Sequence, residues 1–391
     1  MWVIVLTLPI LIRIFGPRVA SYARERGILS QGELFGEFYK SRSLSVATGF
    51  IAIFAVLPFM VVQLSAIAKV VSIASNNYAP YSVTLIFFAV STGWYLYFGG
   101  ARAVVFTDAF QGICFLILLI VSATLFYTWV GGFGIALSKI SQEAPHLLVL
   151  EGKRRALFID NVLSWPFAFF LWPQLFQRMF MARNATEIKK SSFATFVLFG
   201  VSMGLIMTMG IMAAGTFIGN IMDPDILVAE MYKKYFPLGG AFIVLGVVAS
   251  AMSTLDSGLL ALSSVLCRDI LKLEDGIDNA PRVARTSSIV LLVIVVIIAL
   301  SNFGSGAMIP LVTLGASVAT LLFWPLLGMT FFKKTDSFGV FLSYGMGILG
   351  IFLSVITTWL PFGPGTAGFI GGAIGFIFGC IIKTFIPKYK F

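Results

Sequence analysis

The chain carries one histidine, His146, and three cysteines, Cys114, Cys267 and Cys380. A single imidazole in a polar loop cannot assemble a zinc or haem site. Cysteines set far apart inside apolar runs read as small buried hydrophobes rather than a disulfide framework. Charge is also scarce: Asp, Glu, Lys and Arg make up 11% of the residues, against about 25% in soluble domains. A soluble fold of this length would need a polar shell that these residues do not supply. No Walker-type phosphate loop occurs, so nucleotide hydrolysis is not the energy source. The cluster of acid, base or metal ligands that an intramembrane enzyme would need is missing as well. The formal charge of +10 does not point to nucleic acid, because the basic residues sit in short loops between apolar runs.

Apolar runs are what the sequence has in abundance. It is 59% hydrophobic, with a mean hydropathy of +0.97. A membrane-spanning helix needs about 20 apolar residues. About eleven candidates satisfy this: 1–16, 44–74, 80–99, 103–130, 157–176, 190–219, 238–267, 286–302, 306–331, 337–360 and 366–386. None alternates polar and apolar residues as a barrel strand does. The fold class expected is therefore an all-α polytopic membrane protein. Twenty of the 27 Lys and Arg residues lie on alternate connections, including Arg24, Arg42, Arg102, Arg178, Arg268 and Lys383. The positive-inside rule places those connections in the cytoplasm. The C-terminus is then cytoplasmic, and residue 1 lies on the external side of the cell membrane. The long 131–156 connection, and 223–236 with its Asp223-Pro224-Asp225 start, suit short external helices.

One run stands apart. Ser250, Ser253, Thr254 and Ser257 recur at spacings of 3 and 4, so most share one helix face at membrane depth, with Asp256 among them. Polar groups at that depth usually face a protein interior or a water-filled path. Oxygen ligands without thiol or imidazole suit a hard cation such as sodium. The competing structural role is hydroxyls bonded to their own preceding turn or joining helices.

Four stretches together resemble the sodium:solute symporter family. The first is Gly16-Pro17-Arg18 with Gln31-Gly32-Glu33 and Phe38-Tyr39-Lys40-Ser41-Arg42. The second is Gly99-Gly100-Ala101-Arg102-Ala103-Val104 with Thr107-Asp108 and Gln111. The third is Trp172-Pro173-Gln174 with Gln177-Arg178 and Ala182. The fourth is Met252-Ser253-Thr254 with Asp256-Ser257, Leu259-Leu260, Ser263-Ser264 and Arg268-Asp269. They stand in the family's order over most of the chain. The resemblance implies two inverted repeats of five helices with the site at the bilayer midplane. In that register residues 1–130 are the remainder of the first repeat, its first core helix being missing. Residues 157–331 are the second repeat, and 337–386 are two peripheral helices.

The resemblance places sodium-coordinating hydroxyls at Ser253 and Thr254, and the helix face they share presents a freed carbonyl near Ser250 to the same ion. It makes Asp108 a cation relay or second-ion carboxylate; the alternative is a helix N-terminal acid paired with Arg102. Asp256 is a second relay candidate, facing an aqueous vestibule or pairing with Arg102 or Arg178. In 157–176, Pro166 and Pro173 favour a broken helix, and Asn161, Ser164, Trp165 and Phe169 are candidate substrate contacts. Gln63, Thr313 and Ser317 are further candidates, while Gly371, Gly372, Gly375 and Gly379 read as close packing. The function expected is a secondary transporter coupling sodium influx to uptake of a small organic solute, a carboxylate or amino acid. It needs no cofactor beyond the coupling ion and no obligatory protein partner. The rivals are a membrane sensor or scaffold that does not transport, a non-functional fragment of a symporter, and proton in place of sodium coupling.

Overall fold

The computed structural model describes residues 2–151, 153–219, 227–236, 240–273, 280–301, 308–332, 336–357 and 362–385. The regular elements among them are all helical. They are α1 (Trp2–Arg26), α2 (Gln31–Phe38), α3 (Arg42–Ala74), α4 (Tyr81–Val130), α5 (Phe133–Glu143), α6 (Lys153–Leu163), α7 (Trp165–Leu171) and α8 (Pro173–Phe180). There follow α9 (Ala185–Thr216), α10 (Leu227–Tyr235), α11 (Gly240–Val265) with a π-helical turn at Leu266–Ile270, and α12 (Ala280–Leu300). The chain continues through α13 (Met308–Ala319), α14 (Phe323–Phe331), α15 (Ser337–Ile356) and α16 (Pro364–Phe385).

Ten described stretches are long and apolar enough to cross a membrane. The eleventh expected span, 157–176, is broken into α6, α7 and α8, of 11, 7 and 8 residues. Pro166 and Pro173 open α7 and α8, as their missing donors favour. Helices α5 and α10 bear out the short segments expected in 131–156 and 223–236; Asp223-Pro224-Asp225 lies outside the described residues.

Helix α4 runs over 50 residues. The Tyr81 hydroxyl donates to Ser65 of α3 at 3.0 Å, yet Leu118 and Ser122 line a cavity with Gln63 and Ala66 of the same helix. A straight helix would separate residues 81 and 122 by about 60 Å. The run therefore turns back on itself between its halves, 81–99 and 104–130, beside the Gly99-Gly100 pair. These are the two spans that hydropathy separates.

Helix α3 is the hub. It packs against α2, α4, α11 and α13, and its buried face includes Ala52, Ala55, Val56, Met60 and Leu64. Gly315 of α13 lies against the Ala55 carbonyl, and Gly258 of α11 against the Met60 side chain. Helices α15 and α16 approach through glycines, Gly375 on the Leu342 carbonyl, Gly371 on the Met346 carbonyl and Gly379 on Gly339, which is the close packing their spacing suggests.

At one end of the bundle, α2 is clamped to the end of α11. Asp269 is fully buried. It accepts the Ser30 hydroxyl and the backbone N–H groups of Gly32 at 3.1 Å and Glu33 at 2.9 Å, so it caps the start of α2 from a distant helix. In return Arg42 donates to the carbonyls of Ile270 at 3.1 Å and Arg268 at 3.4 Å, at the end of α11. Arg26, Lys40, Arg42, Arg268 and Lys272 gather here, forming a basic end.

Candidate functional site

The hydroxyl row on α11 meets the second half of α4. Ser253 donates to Asp108 Oδ1 at 2.6 Å and Ser257 to Asp108 Oδ2 at 2.7 Å. Arg178 of α8 donates to the same Oδ2 at 2.7 Å and to Ser257 Oγ at 2.9 Å. One residue earlier, Gln177 donates to Ser264 Oγ at 3.0 Å. The Asp108 side chain is 12% exposed and that of Arg178 is 58% exposed. The carboxylate is thus sheltered while the guanidinium reaches it from solvent. These groups line a cleft of about 700 Å³ with Leu96, Gln174 and Arg285. Ser263, Ser264 and Arg285 carry its lining along α11 and α12 in the direction of the basic end.

Three motifs distant in the chain, Thr107-Asp108, Gln177-Arg178 and Ser253-Thr254-x-Asp256-Ser257, therefore converge on one carboxylate. The chain also matches the sodium:solute symporter family model over residues 1–347. It belongs to the sodium:solute symporter family. Members of that family are transporters, not enzymes. A sodium/pantothenate symporter of Escherichia coli is 24% identical to this chain, over 96% of this chain and 79% of the relative. A sodium/proline symporter of Staphylococcus aureus is 29% identical over 51% of this chain and 40% of its own length. Among solved structures, a substrate-bound, outward-open Na+-coupled sialic acid symporter superposes with a TM-score of 0.75. At 17% identity, over 98% of this chain and 82% of that one, the likeness is one of fold.

In this symporter fold the other candidate residues separate into groups. Thr254 donates to the Ser250 carbonyl at 3.0 Å, on its own preceding turn. Ser250 itself lines a second, mainly apolar cavity of about 240 Å³ with Gln63, Ser122 and Phe115. The structure thus places Ser253 and Ser257 on Asp108 and turns Ser250 and Thr254 elsewhere.

Asp256 is 0% exposed, and neither carboxylate oxygen closes a hydrogen bond. It faces neither the cleft nor Arg178, which is engaged by Asp108; the side chain of Arg102 lies outside the described residues. The groups acting on Asp256 are Tyr95, from the first half of α4, and Asp108.

On the broken helix, Asn161 is exposed, while Ser164 is buried and donates to the Asp160 carbonyl at 2.6 Å. Trp165 and Phe169 pack at 5.5 Å between ring centroids, Phe169 and Trp172 at 4.4 Å, and Trp172 and Phe59 of α3 at 4.3 Å. Both indole N–H groups, of Trp165 and Trp172, are buried without an acceptor. Thr313 and Ser317 donate along their own helix, to Ile309 at 2.8 Å and Thr313 at 2.7 Å. Neither stands with the Asp108 cluster.

Two features escaped the sequence reading. Trp172, read in the sequence as part of the Trp172-Pro173-Gln174 motif and not as a substrate contact, completes the aromatic row. Asp160 is fully buried and accepts the Thr366 N–H at 2.6 Å, capping the start of α16. An acid inside an apolar span was the available signal, and Asn161 beside it drew the attention.

Proposed function

We propose that this chain is a sodium-driven symporter for a small organic solute carrying a carboxylate, with Asp108, Ser253 and Ser257 as a cation site. The observation that supports this most is the shared carboxylate: two serine hydroxyls and a guanidinium converge on one sheltered acid. Three hard oxygens and one negative charge fit a sodium ion, which is the transported substrate here. Arg178 supplies the positive charge at that position, so sodium and the guanidinium compete for Asp108. An arriving sodium ion displaces Arg178, and the hydroxyls of Ser253 and Ser257 turn their lone pairs to the ion. Releasing Arg178 also loosens α8 from α11, leaving the Gln177–Ser264 hydrogen bond between them. Ion binding is thereby tied to movement of the broken helix, as alternating access needs. Thr254 and the Ser250 carbonyl offer the ion a further pair of oxygens.

The broken helix carries the solute reading. Two buried indole N–H donors without acceptors, packed against the rings of Phe59 and Phe169, suit a solute with an apolar body and an acceptor oxygen. Pantothenate, proline and sialic acid, the solutes of the three relatives above, all bear a carboxylate. Gln63, Asn161 and Ser164 are secondary contacts on this reading, with Thr313 and Ser317 shaping the wall from α13. By the positive-inside rule the basic end is cytoplasmic, so the cleft gives Asp108 access from the cytoplasm. The repeats run 1–130 and 157–331, with 337–386 peripheral. Uptake of labelled carboxylates and amino acids into proteoliposomes, with and without a sodium gradient, tests this. Uptake indifferent to sodium would remove the coupling. Sodium-driven uptake of neutral solutes alone would remove the carboxylate.

A further inference from the structure

Buried polar oxygens are ordinarily paired, and an unpaired buried charge is among the costliest features a fold can carry. Four such oxygens occur around one point on α11. Both carboxylate oxygens of Asp256, the Tyr95 hydroxyl and the Thr92 hydroxyl are buried and close no hydrogen bond of normal geometry. Thr92 and Tyr95 lie one turn apart on the first half of α4, and the Tyr95 hydroxyl interacts with both Asp256 and Thr92. Asp256 and Thr92 are each 0% exposed. The charged group that bears on Asp256 is Asp108, of the same sign. The cations lining the neighbouring cleft, Arg178 and Arg285, do not relieve it: Arg178 is committed to Asp108 and Ser257, and Arg285 is exposed. Among the described residues the result is a pocket of oxygens with one formal negative charge and no compensating cation, on the helix that carries the hydroxyl row.

We infer that Asp256, Tyr95 and Thr92 form a second monovalent-cation site, separate from that at Asp108, and that its ligand is sodium. The inference rests on the sodium-coupled reading above. A carboxylate and two neutral hydroxyls supply hard oxygens and a single charge, as a monovalent ion requires; soft or imidazole ligands that would favour a transition metal are absent from the set. Leu96, next to Tyr95, and Ser257, next to Asp256, both line the cleft, so the ion's route is short. The sign of the Asp108–Asp256 interaction gives the site a role. Two like charges that act on each other repel, and an ion at either site lowers the cost of keeping the other acid charged. Occupancy of the two sites is then positively linked.

Equilibrium binding of radioactive sodium to the purified full chain in lipid nanodiscs tests this. Asp256→Asn should lower the number of bound sodium ions by one. Tyr95→Phe should weaken that class by about tenfold, the effect of one lost ligand. Asp108→Asn should remove a different ion and leave the Asp256 class measurable. An Asp256→Asn protein that binds the full wild-type number of ions means the carboxyl carries a proton instead, and overturns the inference. If Asp256→Asn does not fold, Tyr95→Phe and Thr92→Val decide, and unchanged affinity for every sodium ion in both overturns it. Loss of an ion in Asp256→Asn but not in Asp108→Asn would keep this site and sink the Asp108 site. The reverse result would sink this one alone.

Discussion

Asp256 and Asp269 stand thirteen residues apart on the same helical run, and both are fully buried. They are otherwise opposites. Asp269 accepts a serine hydroxyl and two backbone N–H groups at the start of α2, with Glu33 reaching Arg268 at 3.8 Å beside it. Asp256 accepts none. Burial alone therefore does not mark an acid as functional. A buried acid with a full set of donors holds two helices together; one without them is left for something the fold does not itself provide. Asp108 lies between these extremes, its donors coming from side chains that can exchange for an ion.

The contrast can be broken by substitution, and the largest effect falls on Asp269. Asp269→Ala removes a buried carboxylate and leaves the Ser30 hydroxyl and the Gly32 N–H without their acceptor, a loss of about 3–5 kcal/mol. It should appear as a lower melting temperature and poor yield, with any surviving protein keeping its sodium dependence. Next comes Asp108→Asn, which keeps the shape but removes the charge that sodium and Arg178 share. The sodium concentration for half-maximal uptake should rise about tenfold or more, with little change in melting temperature. Unchanged sodium dependence would place the cation elsewhere. Arg178→Gln sharpens the competition idea: equilibrium sodium affinity should rise a few-fold while uptake slows, because the guanidinium no longer contests Asp108. A fall in affinity would make Arg178 part of the binding shell. The smallest effect separates two neighbouring hydroxyls. Ser253→Ala should weaken sodium several-fold, and Thr254→Ala less, since the Thr254 hydroxyl already bonds its own turn. Equal losses in sodium titrations would show that Thr254 turns toward the ion in another state of the transport cycle.

Much of the fold was legible beforehand. Long apolar runs marked the spans, two prolines marked the break in 157–176, and glycines marked the α15–α16 contact. Each depends on residues near one another in sequence. The site was legible in part. Motif order brought Asp108, Arg178 and the Ser253 region under suspicion together, but not which of them touch. Arg178 was open as a partner for Asp256 and instead binds Asp108. Of the row Ser250, Ser253, Thr254 and Ser257, the sequence favoured Ser253 and Thr254, yet it is Ser253 and Ser257 that reach the carboxylate. Tyr95 and Thr92 drew no notice, because a tyrosine and a threonine in an apolar span are unremarkable until their neighbours are known.

The amino-acid order by itself determined that the chain crosses a membrane many times as helices, which loops carry the positive charge, and which polar residues sit at depth. Those properties follow from hydropathy and local backbone chemistry. Only the tertiary structure decided which buried acid is satisfied and which is not. The partners of a side chain at membrane depth come from helices tens or hundreds of residues away, and their approach is set by packing along α3 and by the reversal of α4.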